Sequence, residues 1–359
     1  MVTIVVMNIS MYFLKRLASI PPTILAILYF LFVLFSAIGN PNSNSYFPSF
    51  SDSIFSYLGA FGKFVWNVLT GNWGYLVAFP KEQTFSGPVS VLISIYFFST
   101  LEVVIFAATI SLIVSFPLGR YLGTHHTYRF AKISRSITLL GYLTPAYVTA
   151  LVLQILFGKG VIRGNPLAIF PITGAFDATS LPSEITKPSW LESNGILISS
   201  PTHMLLIDSL LHGDYTLAFN VFMHLVLPVA TLVISITAIV TFLVSSAYTD
   251  HIGTEYVKSA RSRGVPERQI EIRHVRPNAV LPVMASATIM VAFLLSNVIM
   301  MENVFDYPGI GLFLANTISY DQYYPTAVVI FLLGVMVMLI SLTIDVIYFA
   351  KNPLIRREG

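Results

Sequence analysis

Cysteine is absent from the 359 residues, and charge is scarce. Without cysteine there is no disulfide and no thiolate chemistry, and the sequence carries no mark of its redox compartment. Charged side chains make up 10% of the chain against 55% hydrophobic, whereas a soluble globular domain carries about 25% charged residues. That deficit leaves too little polar surface to face water, so lipid must be the solvent for much of the chain. No G-x-x-x-x-G-K-[ST] phosphate loop occurs, so the chain does not bind nucleotide that way. The seven histidines show no metal-ligand clustering. No repeat at solenoid or propeller periods is visible. The net charge of +3 matters less than its placement, and a nucleic-acid partner is not expected.

What is present is a series of long apolar runs. A helix needs about 20 mainly apolar residues to cross the hydrocarbon core. Six stretches qualify: about Ile20–Ile38, Tyr96–Leu118, Ile137–Phe157, Phe222–Ser246, Val280–Met301 and Thr326–Phe349. The first is too long for a signal-peptide core, and Ser36-Ala37-Ile38-Gly39 is a poor cleavage site, so a retained helix is expected. The fold class is therefore an all-α integral membrane protein with six transmembrane helices.

Lys and Arg give the spans a direction. With the N-terminus inside, cytoplasmic segments hold Lys15, Arg16, Arg120, Arg129, Lys132, Arg135, Lys258, Arg261, Arg263, Arg268, Arg273, Arg276, Lys351, Arg356 and Arg357. Lys63, Lys81, Lys159, Arg163 and Lys187 remain outside, a division of 15 to 5 among 20. Both termini are then cytoplasmic. In the first outer segment, Tyr57, Phe61, Phe64, Val65, Val68 and Leu69 recur at helical spacing, which predicts an amphipathic helix on the membrane or capping the bundle. The second outer segment, about 158–221, is rich in Pro, Gly, Ser and Thr and has an apolar patch at Met204–Leu211.

An ion-coupled secondary transporter carries ionisable groups deep in its spans. Here Glu102 and His224 lie near outer span ends and Asp345 near an inner one, positions that suit interfacial capping or helix–helix hydrogen bonding. Energy for transport must then come from a partner. The segment after the fourth span has a distinctive order. Glu255 to Arg263 reads as a short helix, Gly264 ends it as a left-handed cap, and Pro266 suits the first turn of the next helix. Ala260 and Gly264, four apart, permit close approach of another surface. Such an element can seat in a partner's cleft. An ordinary basic loop would explain the charges but not the Ala-x-x-x-Gly-x-Pro order.

The segment from Glu255 to Pro282 resembles the EAA loop of binding-protein-dependent ABC importer permeases of the dipeptide, oligopeptide and nickel subfamily. Further elements are similar in the same order: Phe13-Leu14-Lys15-Arg16-Leu17 before span one, then Thr70-Gly71-Asn72-Trp73-Gly74 outside. Ser99-Thr100-Leu101-Glu102 and Phe116-Pro117-Leu118-Gly119 bound span two, and His224-Leu225-Val226-Leu227-Pro228 opens span four. Glu302-Asn303-Val304-Phe305-Asp306-Tyr307-Pro308-Gly309-Ile310-Gly311 follows span five. Asp321-Tyr323-Tyr324-Pro325 and Asp345 through Pro353 complete the set. Asn72 stands where the subfamily has Asp, Lys258-Ser259-Ala260 replaces the literal Glu-Ala-Ala, and Pro277 takes a position where a non-proline is usual.

The resemblance implies a type I ABC importer permease fold. It divides the chain into 1–95 (first span and outer segment), 96–353 (permease domain with an outer insertion at about 158–221 and a coupling loop at about 248–279) and a tail, 354–359. It implies a multi-pass plasma-membrane subunit, not itself an enzyme, working with a homologous second permease, two ABC ATPases and an extracytoplasmic binding protein. The chain holds no cofactor; ATP and Mg belong to the ATPases. Glu255, Tyr256, Lys258, Ala260, Arg261, Gly264 and Glu267 are the ATPase-coupling candidates. Glu302, Phe305, Asp306, Tyr307, Pro308, Gly309 and Gly311 are candidates for an outer gate or binding-protein contact, or for a plain re-entry turn. Tyr307, Tyr320, Tyr323 and Tyr324 would line an entrance or form an interfacial aromatic belt. The expected cargo is oligopeptide, with oligosaccharide as the alternative; the lack of a histidine cluster disfavours nickel.

Overall fold

The computed structural model describes residues 14, 16–38, 47–48, 54–76, 87–177 and 202–351. Lys15, the centre of the second outer segment and the tail 354–359 lie outside the described residues. The chain is mostly helical. Helix α1 spans Ile20–Ile38, α2 Ile54–Leu69, α3 Val89–Thr124, α4 Arg129–Leu143, α5 Ala146–Phe157 and α6 Leu205–Leu211. Then come α7 at Tyr215–Ile252, α8 at Glu255–Ser262, α9 at Glu267–Ile270, a π-turn at Glu271–Val275, α10 at Arg276–Phe305, α11 at Ile310–Ser319 and α12 at Tyr323–Lys351. A two-residue antiparallel pair, Tyr75–Leu76 (β1) with Gly87–Pro88 (β2), precedes α3.

Four helices are long and apolar enough to cross a membrane, and six spans result if each of two bent pairs counts as one. The expected third span is one of these pairs. It is two helices, α4 and α5, bent by 103°. Thr144 between them is extended, at φ −80° and ψ 121°, because Pro145 crowds the helical region of the residue before it. The expected fifth span lies in the other pair, bent by 52° between Ala287 and Ile289 within α10. The remaining expected spans run several residues longer than their apolar cores, save the first, whose bounds agree.

The central contact is α3 against α7. In lipid no hydrophobic force drives helices together, so close backbone approach carries the packing. Gly119 and Gly123 supply it. A Cβ on Gly119 would lie 2.7 Å from Val244 Cβ, and one on Gly123 would lie 2.5 Å from Tyr248 Cβ and 2.8 Å from the Ser245 carbonyl oxygen. Ala107, Ser111 and Ser115 continue the same buried face of α3. Helix α4 docks on the same end of α7: Arg135 donates to Ser246 Oγ at 2.7 Å and sits 5.8 Å from the Phe242 ring.

A second core holds the outer amphipathic helix. On α2, Phe64 and Val68 are buried and Tyr57, Phe61 and Val65 partly so, as the spacing predicts; Leu69 stays exposed. Phe32 of α1 meets Tyr57, Phe61 and Phe64 with ring centroids 5.0, 5.3 and 5.7 Å away. Each such pair adds about 0.5–1.5 kcal/mol beyond area burial. Trp73 Nε1 donates to Val68 O at 2.9 Å, and Tyr324 Oη donates to Asn72 O at 2.9 Å. The Asn72 carbonyl thus ties the outer turn to α12, a bond that does not depend on its side chain. Arg16 pairs with Asp345 at 3.2 Å, which sets the start of α1 beside the end of α12.

Candidate coupling segment and outer turn

The coupling helix α8 begins at Glu255, after Gly253 and Thr254, the two residues that follow the end of α7. Val257 and Ala260 turn α8 toward the body of the chain and are buried, as is Ile270 on α9. Glu255, Tyr256, Lys258, Arg261, Gly264 and Glu267 are exposed. Ala260 therefore does not offer its small side chain to an outside surface, as the four-residue spacing suggested; it packs inward, and Gly264 alone of that pair lies at the surface. Gly264 has φ +75°, and a Cβ there would meet nothing within 4 Å. Conformation, not space, selects glycine here. Val265 N–H donates to Ala260 O at 3.2 Å and Gly264 N–H to Arg261 O at 3.0 Å, closing the turn. Pro266 is the residue before α9, at φ −57° and ψ 138°, one position earlier than a first-turn proline.

Ion pairs stiffen the exposed face. Lys258 Nζ reaches Glu255 at 2.8 Å. Arg261 grips Glu267 with Nε at 2.5 Å and Nη2 at 3.0 Å. That hydrogen bond lowers the Glu267 carboxyl below its ordinary value and raises Arg261 above its own. His251 Nδ1 lies 3.1 Å from Tyr256 Oη.

At the other end of α10 a carboxylate is fully enclosed. Glu302 Oε1 accepts from Thr100 Oγ1 at 2.6 Å, and Oε2 accepts from Gly311 N–H at 2.6 Å and Leu312 N–H at 3.3 Å. Thr100 Oγ1 in turn accepts from Ile310 N–H at 2.8 Å. The glutamate thus caps the first turn of α11, where unpaired N–H groups and the helix dipole favour negative charge. Asp306 is left-handed at φ 48° and ends α10. A Cβ on Gly309 would run into the Glu302 carboxylate, and one on Gly311 would lie 2.6 Å from Ile299 Cα. Glu102 repeats the scheme on α6, with Oε1 accepting from Leu206 N–H at 3.0 Å and Ile207 N–H at 3.2 Å.

The outer candidates divide accordingly. Glu302, Phe305, Tyr307, Gly309 and Gly311 are buried, Pro308 is half-buried, and Asp306 is exposed. Tyr307 does not face outward to line an entrance or join an aromatic belt; it is 0% exposed, its hydroxyl enclosed near Ser99. Tyr324 is buried too, whereas Tyr320 and Tyr323 are half-buried.

Two features had no signal at single positions. Gln154 Nε2 donates to Ile172 O and Val304 O, both at 3.0 Å, and binds the second outer segment to the end of α10. Arg120 on α3 and Glu271 in the π-turn form an ion pair across 151 residues, with Nη2 to Oε2 at 2.9 Å. Among the described residues no group of histidines and acids could hold a metal ion.

Residues 115–357 match the family described as "Binding-protein-dependent transport system inner membrane component". The chain is 27% identical over 293 residues to the dipeptide transport system permease protein DppB of Haemophilus influenzae, covering 82% of this chain and 79% of that protein. It is 27% identical over 275 residues to the probable D,D-dipeptide transport system permease protein DdpB of Escherichia coli K12, at 76% and 74% coverage. It is 28% identical over 272 residues to the putrescine export system permease protein SapB of the same strain, at 76% and 78% coverage.

Proposed function

The chain belongs to the binding-protein-dependent transport system inner membrane components, the permeases of ABC importers, and on that premise we propose that it forms half of a translocation path for oligopeptides. The second half is a homologous permease, an extracytoplasmic binding protein delivers the cargo, and two ATPases drive it from the cytoplasmic face. The observation that carries the reading is the coupling segment. A charged, exposed α8 stands between two spans, ended by a positive-φ glycine and followed by a second helix leading into α10. Closure of the ATPases would push α8 and tilt α7 and α10, alternating the path between outside and inside. Both termini lie on the cytoplasmic face in this arrangement, in keeping with the Arg16–Asp345 pair and the basic-residue bias.

Two of the three relatives compared carry dipeptide names, which favours peptide over oligosaccharide cargo. The buried glutamates favour ATP as the energy source over an ion gradient, because Glu302 and one oxygen of Glu102 are engaged by backbone N–H groups. Co-expression with the ATPases, the second permease and the binding protein, followed by reconstitution, tests the reading. Uptake of labelled trialanine that requires both ATP and the binding protein is expected. Uptake by this chain alone, driven by an ion gradient, would overturn it.

A further inference from the structure

We infer that Arg120 and Glu271 are positioning residues for coupling: they fasten the coupling segment to α3, so that displacement of α8 moves the second span along with α7 and α10. This rests on the coupling role proposed above for α8.

The covalent route from α8 to α10 is interrupted. It passes through the four-residue α9 and then the π-turn, where Arg276 N–H donates to Glu271 O in an i to i+5 bond. Such widened turns loosen the helical ladder and recur at functional positions. Pro277 follows in the first turn of α10 and contributes no N–H. The route is therefore compliant where a push would have to be transmitted.

Glu271 is the first residue of the compliant turn, and its side chain is 18% exposed. Both of its oxygens are held by Arg120, one by Nη2 at 2.9 Å and the other by Nε. A two-point guanidinium grip fixes direction as well as distance. Arg120 stands beside Gly119, one of the two glycines through which α3 meets α7, so its backbone is anchored.

The pair also borders a void. A cavity of about 670 Å³ lies between the end of α3, the end of α7 and the coupling segment, lined by Tyr121, Thr124, Ile252, Val257, Ile270 and Val275 together with Arg120 and Glu271. Val257, Ala260, Ile270 and Val275 seat the coupling segment on the bundle, but it is not packed solidly where this cleft opens. With a space beneath it and a widened turn behind it, the Arg120–Glu271 clasp is the strap that makes α3 follow.

The test uses the complete reconstituted transporter and reads ATP hydrolysed per trialanine imported, with the membrane content of the complex measured alongside. Arg120→Gln and Glu271→Gln should each raise that ratio roughly five- to tenfold, with hydrolysis continuing while uptake falls. The charge exchange Arg120→Glu with Glu271→Arg should bring the ratio back toward wild type. Arg120→Lys keeps the charge but loses the two-point grip, and should sit about twofold above wild type. A wild-type ratio in both glutamine variants would overturn the inference. So would a parallel fall of hydrolysis and uptake that the exchange does not restore, because that outcome marks a pair needed only for folding. Absence of ATP-dependent uptake in the wild-type transporter would instead overturn the importer reading itself.

Discussion

Thr100 on α3 and Glu302 on α10, 202 positions apart in sequence, meet through a 2.6 Å hydrogen bond inside the chain. Thr100 passes the connection on to Ile310 N–H, and Glu302 to Gly311 and Leu312. Thr100→Val keeps the shape and removes both roles of the hydroxyl, stranding an acceptor and a donor. A loss of about 1–3 kcal/mol is expected. Thermal unfolding of the purified protein in detergent would show it as a lowered midpoint, and an unchanged midpoint would refute the capping role.

Gly309 and Gly311 answer a question of space. An added methyl at Gly309 meets the Glu302 carboxylate, and at Gly311 it meets Ile299 backbone. Overpacking of this kind costs about 1–3 kcal/mol or more. Gly309→Ala and Gly311→Ala should both reduce the folded yield in membranes, measured by fluorescence-detected size exclusion. Asp306→Ala, at an exposed position, should reduce it less.

Gly264 answers a question of conformation. Its surroundings are open but its φ is +75°, which costs an L-residue with a Cβ about 1–2 kcal/mol. Gly264→Val should distort the turn after α8 and abolish peptide-stimulated ATP hydrolysis while leaving the assembled complex present. Gly264→Asn should retain most of it, since asparagine visits the left-handed region readily. Equal activity in Gly264→Val and wild type would count against α8 as the coupling element.

The Arg261–Glu267 pair gives a signed pH dependence. The native carboxyl titrates below its ordinary value because Arg261 hydrogen-bonds the charged form. Its contribution is therefore full above the unfolded value and is lost as pH falls through the lowered native one. Carboxyl-selective NMR should find Glu267 titrating low in the wild type and returning to the ordinary glutamate range in Arg261→Gln. A Glu267 titration that does not respond to that substitution would break the assignment.

Much of the architecture was legible because lipid imposes a simple rule on length and polarity. The span from Ile20 to Ile38 and the outer helix at Ile54–Leu69 follow from apolar runs and helical spacing alone. Gly264 was legible because glycine after a helical run marks a left-handed end, and its φ is +75°. The broken third span was written in Thr144-Pro145, yet Pro117 and Pro228 sit inside unbroken helices. A proline by itself does not say whether neighbouring helices will re-satisfy the freed carbonyl. Ala260 was misread because spacing gives a face but not which body that face meets. The enclosure of Glu302 was not legible: its partners are Thr100, 202 positions away, and backbone N–H groups nine and ten residues on, which leave no side-chain pattern to find. Arg120–Glu271 pairs across 151 residues, and no local rule reaches that far.

The knot around Glu302 has a mechanical consequence. Helix α10 is 30 residues long but bends by 52° between Ala287 and Ile289, and its outer arm, Ile289–Phe305, is about 25 Å at 1.5 Å per residue. One end of α10 is riveted to α3 and α11 by three hydrogen bonds to the Glu302 carboxylate, and the other adjoins the widened turn. An arm so held is fixed at the outer end, and the bend divides it from the inner arm. Displacement of α8 would then be taken up by the inner arm, between the bend and the widened turn, so the permease would open from the inside while its far edge stays shut.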